Sequence, residues 1–222
     1  RNHIDVEKLR YDNKGLEVYD EVFSNLTLYP YREPNEPKHI LVNIRDLTFD
    51  TNDVIDDSAF RKIALLIDNL ILYYDIPALF FAVSDGSFCD DVIALEKLKK
   101  YMTKPERIES IGRIRDEYQL IELAQDAQVT ISMSFHGCLL AGIGGSPFIP
   151  ITEGKYYNYK YAGFDKYTGM QGVPVIELTD CEPNEDADRI VEFVNQYDHR
   201  KMQVARVEAS NLLDEFYNKA MA

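Results

Sequence analysis

The sequence predicts a doubly wound parallel α/β sheet of the Rossmann-like type, and three observations support that prediction. From residue 40 onward, short apolar runs alternate with longer segments of helical periodicity. The run at residues 78–83 is too apolar for a sheet with one solvent-facing side, so we expect burial on both faces. The spacing between runs leaves room for a helix in each crossover, which is typical of parallel strands. These crossovers are expected to be right-handed.

The composition is that of a folded globular protein with one sizeable core. The chain has 222 residues, of which 45% are hydrophobic and 28% charged. Residues 1–38 are polar and aromatic and end in a proline-rich run, so we interpret them as a lead-in or interdomain linker. Residues 39–222 form the predicted Rossmann-like domain with a closing helix. Charge or proline interrupts every long apolar stretch, so no transmembrane segment is predicted.

Charge and cysteine content narrow the function classes. A net charge of −14 argues against nucleic-acid binding, which needs a basic surface, but a local phosphate pocket stays possible. Cys89, Cys138 and Cys181 are widely spaced and form no CxxC pair. They predict reduced, buried thiols of a cytoplasmic protein, with no metal site and no disulfide framework.

The first half of the domain is predicted to contain three strands and three helices. The predicted strands are residues 40–44, 78–83 and 108–111, and the predicted helices are residues 58–74, 90–101 and 116–127. Ser58 is the predicted N-cap of the first helix. Its apolar stripe consists of Phe60, Ile63, Leu66, Ile67, Leu70 and Ile71. The second helix has acidic residues first and lysines last, which matches the helix macrodipole.

Residues 129–155 form the central unit of the prediction. An apolar strand, residues 129–135, turns through His136 and Gly137 into a short helix, residues 138–143. A glycine-rich stop precedes the strand 148–151. Further elements then follow: a loop at 154–163, a strand at 173–178, a helix at 185–196 and a closing helix at 201–219.

Polar and cationic side chains follow the predicted strands. They are Arg45, Ser84, Asp85, Arg113, Ser134, His136, Thr152 and Lys155. Because the carboxyl ends of parallel strands share one edge, where open α/β sheets bind ligands, we expect these side chains to lie together. His136 lies at a strand-to-helix junction, where the first peptide N–H groups favour an anion. Such a set suits a small phosphorylated or carboxylated ligand.

Each of these residues also has a purely structural interpretation. His136 can cap a backbone group, Arg45 can pair with Asp46, and Arg113 can be structural. Lys155 can be a solvated loop residue. The GIGG run lacks the GxGxxG spacing and is interpreted as a helix stop, not a dinucleotide site.

The run SFHGCLLAGIGGSPFIPI, followed by Lys155 and then Gly163-Phe164, resembles the polysaccharide pyruvyl transferase family. The strand ILVNIRD, ending in Arg45, is similar to the first strand of that family's C-terminal domain. The resemblance covers roughly residues 38–195. It implies one Rossmann-like half of a GT-B-type architecture.

Two features depart from the family pattern. Ser134 stands where the family has an arginine two residues before the histidine, which removes a cation from the anion site. Family members usually carry a second Rossmann-like domain before this one. This chain has room for one, so we expect either that an N-terminal half has been removed or that the domain is not a complete enzyme.

The resemblance implies transfer of a ketal pyruvate from phosphoenolpyruvate to a sugar of a cell-surface or exopolysaccharide precursor. His136 would be the acid/base, and Arg45 and Lys155 would hold the donor's phosphate or carboxylate. Gly137 and Cys138 would assist through the helix N-terminus. Ser134 and Arg113 complete the predicted substrate-binding set. Phosphoenolpyruvate is a co-substrate, and no cofactor is expected.

Two other function classes stay open at this point. A GT-B-like glycosyltransferase half would bind a nucleotide sugar at the same edge, because a diphosphate needs the same cations and helix end. A non-catalytic domain of this fold would bind a ligand or partner without turnover.

Overall fold

The computed structural model describes residues 21–30, 33–46, 55–84, 91–154, 161, 169 and 171–221. Within these residues, six parallel strands form one sheet in the order β3-β2-β1-β4-β5-β6. The strands are β1 (His39–Asn43), β2 (Ala78–Ala82), β3 (Ile108–Arg113), β4 (Ala127–Ser132), β5 (Phe148–Thr152) and β6 (Ile176–Glu177). The predicted doubly wound parallel sheet is therefore confirmed.

Helices cover both faces of this sheet and are numbered here in chain order. They are α1 (Glu21–Ser24), α2 (Asp57–Tyr74), α3 (Asp91–Tyr101), α4 (Glu117–Gln125), α5 (Phe135–Ile143), α6 (Pro183–Gln196) and α7 (His199–Met221). A single 3₁₀ turn, Pro105–Arg107, leads into β3. None of the helices in the described part of the chain is long and apolar enough to cross a membrane.

The side chains of β1 alternate between two separate cores. Ile40 and Val42 pack on one face, against α2, α3 and α6. Leu41 packs on the other face, with side chains of α1, α4, α5 and α7. Phe80 and Phe81 of β2 divide in the same way, so the predicted burial of that strand on both faces is confirmed.

The strand order reverses between β1 and β4, which are direct neighbours although two strands separate them in the chain. Asn43 and Ser132 are register partners at the carboxyl ends of these strands. Ligands of open α/β sheets bind outside such a reversal point. The fold thus brings the segments after β1 and β4 to one place.

Several predicted helix starts differ from the structure, and hydrogen-bonding side chains explain two of these differences. Asp56, not Ser58, caps α2, because its carboxylate accepts from the Ala59 N–H over 2.8 Å. The central helix begins at Phe135 and not at Cys138, because Ser134 adopts an extended conformation and caps it. The six predicted stripe residues of α2 are all buried, as expected. Only Ile176–Glu177 of the predicted strand 173–178 forms a strand.

Residues of the predicted lead-in segment pack into the domain. Phe23 and Tyr29 are buried among residues of α4, α5 and α7. The fully buried guanidinium of Arg206 in α7 donates from Nε to the Phe23 carbonyl over 3.0 Å and from Nη2 to the Tyr29 carbonyl over 2.6 Å. Burial lowers the pKa of Arg206 to about 10, so it stays protonated at neutral pH. The division of the chain at residue 38 stays a prediction.

Candidate functional site

A buried amide joins the ends of β1 and β2 to the start of α3. Asn43 donates from Nδ2 to the Phe81 carbonyl over 3.1 Å and to Oδ2 of Asp91 over 3.0 Å. The same carboxylate oxygen accepts from the N–H groups of Val83, at 2.7 Å, and Ser84, at 3.1 Å. Asn43 and Asp91 are both fully buried, so water does not compete for the hydrogen bonds between them.

Two serines fix the start of α5 on this framework. The Ser132 hydroxyl oxygen accepts from the Ser134 N–H over 3.0 Å. Its own proton reaches either Oδ1 of Asn43 or the Ser134 carbonyl, each 3.3 Å away. Ser134 in turn accepts from the Gly137 N–H over 3.2 Å, which is an ordinary serine N-cap. A hydrogen-bonded chain therefore runs from Asp91 to the first turn of α5.

Gly137 is needed at its position because the first turn of α5 lies directly on the two serines. A Cβ atom added there would come within 2.6 Å of Ser132 Oγ and 3.1 Å of Ser134 Cβ. Real Cβ atoms do not approach a neighbour as closely as the shorter of these distances. The close approach sets how deeply the helix start sits above the sheet.

The Gly137 and Cys138 N–H groups, which were predicted to assist anion binding, each have an acceptor within the chain. The Gly137 N–H donates to the Ser134 hydroxyl, and the Cys138 N–H donates to the Ser134 carbonyl over 3.0 Å. Both donors therefore have acceptors within the chain. The Cys138 side chain is fully buried, with Sγ 3.6 Å from the Ser132 carbonyl, and burial raises the pKa of its thiol to about 12. Cys138 belongs to the core.

A pocket of about 340 Å³ lies between the starts of α4 and α5. It is lined by Val83, Arg113, Ile114, Arg115, Asp116, Glu117, Leu120, Ser134, His136, Gly137 and Leu140. Four residues of the predicted set therefore share one cavity: Arg113, Ser134, His136 and Gly137. His136, in the first turn of α5, and Arg113, the last residue of β3, are both exposed. The pocket volume is in the range typical of small-molecule sites.

Arg45 and Thr152 are not among the residues that line this pocket. Arg45 is half-buried after β1, and its backbone N–H lies 3.3 Å from the Met133 sulfur, next to the strand-order reversal. Lys155 lies outside the described residues, as does Asp85. The Thr152 hydroxyl is buried and lies 3.0 Å from a carboxylate oxygen of Glu177, so it is turned toward β6.

Residues 6–155 match the family model of polysaccharide pyruvyl transferase. This range is more than half of the chain and includes Arg45, Arg113, His136 and Lys155. The chain belongs to the polysaccharide pyruvyl transferase family. A search of curated proteins found no match for this pyruvyl transferase domain.

Solved structures of similar fold share little sequence identity with this chain. An O-GlcNAc transferase of Thermobaculum terrenum superposes with a TM-score of 0.51 at 10% identity, covering 85% of this chain and 37% of that one. This match shows a shared fold, which agrees with the expected Rossmann-like half of a GT-B-type architecture. UGT89C1 of Arabidopsis thaliana, complexed with UDP, has a TM-score of 0.49 at 12% identity. The match covers 90% of this chain and 46% of that one.

S. aureus TarM has a TM-score of 0.46 at 13% identity, and the match covers 83% of this chain and 34% of that one. The pyruvyl transferase domain thus spans between about a third and a half of the length of these three structures.

The structure adds four residues to this edge that the sequence interpretation missed: Asn43, Asp91, Ser132 and Arg115. The signal for Asn43 was available, because it is the polar residue that ends the apolar run ILV of this strand. The acidic start of α3 was attributed to the macrodipole alone, although Asp91 is buried and caps the ends of two strands. No group of three His, Cys, Asp or Glu side chains that could hold a metal ion occurs in the described ranges.

Proposed function

We propose that this domain transfers a ketal pyruvate from phosphoenolpyruvate to a saccharide of a cell-surface or exopolysaccharide precursor. The observation that carries the proposal is the exposed imidazole of His136, which lines one pocket together with Arg113 at the carboxyl edge of the sheet. The family match spans both residues and identifies the transferase class.

The reaction needs a proton donor and then a proton acceptor at one place. Protonation of the C3 methylene of phosphoenolpyruvate makes C2 electrophilic, and an acceptor hydroxyl adds to C2. A second hydroxyl of the same sugar then replaces the phosphate, so the products are the cyclic ketal and inorganic phosphate. Histidine exchanges protons near neutral pH, so His136 can give the first proton and take one from an attacking hydroxyl.

Cations are needed because the donor carries a phosphate and a carboxylate. Arg45, beside the strand-order reversal, and Lys155 are our candidates for holding the donor, and Arg113 adds a positive charge to the pocket. Ser134 supplies no charge, since its hydroxyl caps α5. The proposal therefore places the cations on segments that follow β1, β3 and β5, around the imidazole that follows β4.

We place the reaction in the cytoplasm. Cys138 and Cys181 are free and buried thiols, which is the usual state of cysteine in a reducing compartment.

The test pairs ligand binding with turnover. Thermal-shift titration with phosphoenolpyruvate, beside UDP-sugars, measures binding because a ligand specific for the folded state raises stability by RT ln(1 + [L]/Kd). We expect a phosphoenolpyruvate shift that Arg45→Ala or Lys155→Ala reduces. Phosphate release in the presence of a saccharide acceptor should fall by about 10²-fold or more in His136→Gln, the typical contribution of a general acid–base.

Each alternative function predicts a different result. A shift with UDP-sugars alone would contradict the proposal and favour a glycosyltransferase half. Binding without phosphate release under any acceptor would favour a non-catalytic domain, in which His136→Gln leaves no activity to lose.

A further inference from the structure

Arg115, which follows β3, is held in place by the first turn of α4. Its backbone N–H and its Nε both donate to Oε1 of Gln119, over 2.9 and 3.2 Å. The Gln119 N–H donates to Oδ1 of Asp116, the N-cap of the helix, over 2.9 Å. One hydrogen bond from Nε and one from the backbone N–H, both to the same oxygen, therefore orient this side chain before any ligand arrives.

The outer end of the guanidinium is available for a ligand. Arg115 is exposed and lines the same pocket as Arg113 and His136. Within the part of the chain that the structure describes, its Nη1 and Nη2 atoms donate to no acceptor. A guanidinium presents its N–H groups in a rigid fork that matches phosphate oxygens, and pre-orientation reduces the entropy lost on binding.

The rest of the pocket lining contains both charged and apolar side chains. Helices α4 and α5 both begin at its wall, so their positive ends add to the field of the arginines. The carboxylates of Asp116 and Glu117 also line the pocket, and Asp116 is hydrogen-bonded to the Gln119 N–H. Four apolar side chains form the apolar wall of the pocket: Val83, Ile114, Leu120 and Leu140.

We propose that this pocket binds the phosphate group of a substrate through Arg113 and Arg115, with Gln119 as the positioning residue for Arg115. The two guanidinium groups supply from the segment after β3 the positive charge that Ser134 does not supply from α5. The inference rests on the proposed function for the nature of the ligand, whose phosphate belongs either to phosphoenolpyruvate or to a phosphorylated saccharide acceptor. The apolar wall contacts the uncharged part of either molecule.

The experiment measures dissociation constants of the whole chain for four probes: inorganic phosphate, phosphoenolpyruvate, glucose 1-phosphate and glucose. Arg113→Met and Arg115→Met should each weaken at least one phosphate-bearing probe by about 10-fold or more, the order of a charged hydrogen bond. Arg107→Met is the matched control, because Arg107 lies before the opposite end of β3, in an ion pair with Asp75 at 3.1 Å. It should leave all four constants unchanged.

Gln119→Met tests the positioning step separately from folding. It should weaken the same phosphate probe without lowering the melting temperature of the unliganded protein. In the Arg115→Met background it should have no further effect on affinity, since the side chain that it orients is gone. An equal effect of Gln119→Met in both backgrounds would overturn the positioning role.

The probes separate this inference from the proposed function. Phosphoenolpyruvate binding that is insensitive to Arg113→Met and Arg115→Met, with no binding of glucose 1-phosphate, would overturn the inference and leave the proposed function standing. Arginine-dependent binding of glucose 1-phosphate without phosphoenolpyruvate binding would support the pocket and contradict the proposed donor. Absence of binding by every phosphate-bearing probe would overturn both.

Discussion

The Ser132 hydroxyl oxygen lies 3.3 Å from Oδ1 of Asn43, side chain to side chain, across the point at which the strand order of the sheet reverses. Through this contact the first turn of α5 is connected to the carboxylate of Asp91 at the start of α3. The pocket residue His136 thus stands on a helix whose start is fixed by buried polar groups, and such groups are costly to leave without partners.

Replacing Asn43 by leucine should lower the free energy of unfolding by about 2–4 kcal/mol, because Asp91, Ser132 and the Phe81 carbonyl would each lose a buried partner. Urea denaturation measures the change. Asn35→Leu is the control, since Asn35 makes an exposed hydrogen bond to Asp126, and it should cost well under 1 kcal/mol. Equal losses in the two variants would contradict a special role for the buried amide.

Gly137→Ala should destabilise the protein by about 1–3 kcal/mol, since the new methyl group would lie 2.6 Å from Ser132 Oγ. Removing that oxygen with Ser132→Ala should relieve the clash, so the cost of Gly137→Ala should be smaller in that background. The double-mutant cycle, measured by urea denaturation, should therefore show coupling between the two sites. Strict additivity would show that the helix start moves instead of clashing.

The thiols of Cys138 and Cys181 should be unreactive in the folded protein at pH 8. Burial raises the pKa of each thiol to about 12, so only on the order of 10⁻⁴ of either is thiolate at that pH. In a Cys89→Ser variant, 5,5′-dithiobis(2-nitrobenzoic acid) should label both sites in guanidinium and neither under native conditions. Fast native labelling would mean that one of these thiols is reached by solvent.

Protonation of His39 should destabilise the fold as the pH falls below 6.5. Burial lowers the pKa of His39 from its usual 6.5, so in that range the unfolded chain binds a proton that the folded chain does not. This contribution to stability is present above 6.5 and is lost as the pH falls from 6.5 toward the lowered folded pKa. Unfolding free energies should fall more steeply for wild type than for His39→Gln, by up to about 1.4 kcal/mol per pH unit. Parallel profiles would contradict the prediction.

The sheet could be predicted from the sequence because short-range hydrophobic patterns show which residues of each strand and helix are buried. The apolar run of β2 predicted burial on both faces, the stripe of α2 predicted the face that this helix buries, and the strand ends predicted which polar residues lie at one edge. The start of α5 was mispredicted because Phe135 extends an apolar, β-like run, and only the capping of Gly137 by Ser134 shows where the helix begins.

Partners distant in sequence could not be predicted in the same way. Asn43 bonds to Asp91 and Ser132, which are separated from it by 48 and 89 residues. A sequence pattern shows that a polar residue ends a buried strand, but it does not show which carboxylate or hydroxyl is the hydrogen-bond partner of that residue. For the same reason, only part of the pocket could be predicted. Arg113 was identified because it ends a predicted strand, whereas the proposed role of Arg115 depends on its contact with Gln119 in the neighbouring helix.

The buried guanidinium of Arg206 has a consequence for the order of events during synthesis. The carbonyls of Phe23 and Tyr29 receive their donors from a residue that follows them by 183 and 177 positions. At about 5–20 residues per second, a ribosome needs on the order of ten to thirty seconds to bridge that distance. Throughout that interval the early segment is without its anchor on α7, and all six strands of the sheet are synthesised before Arg206.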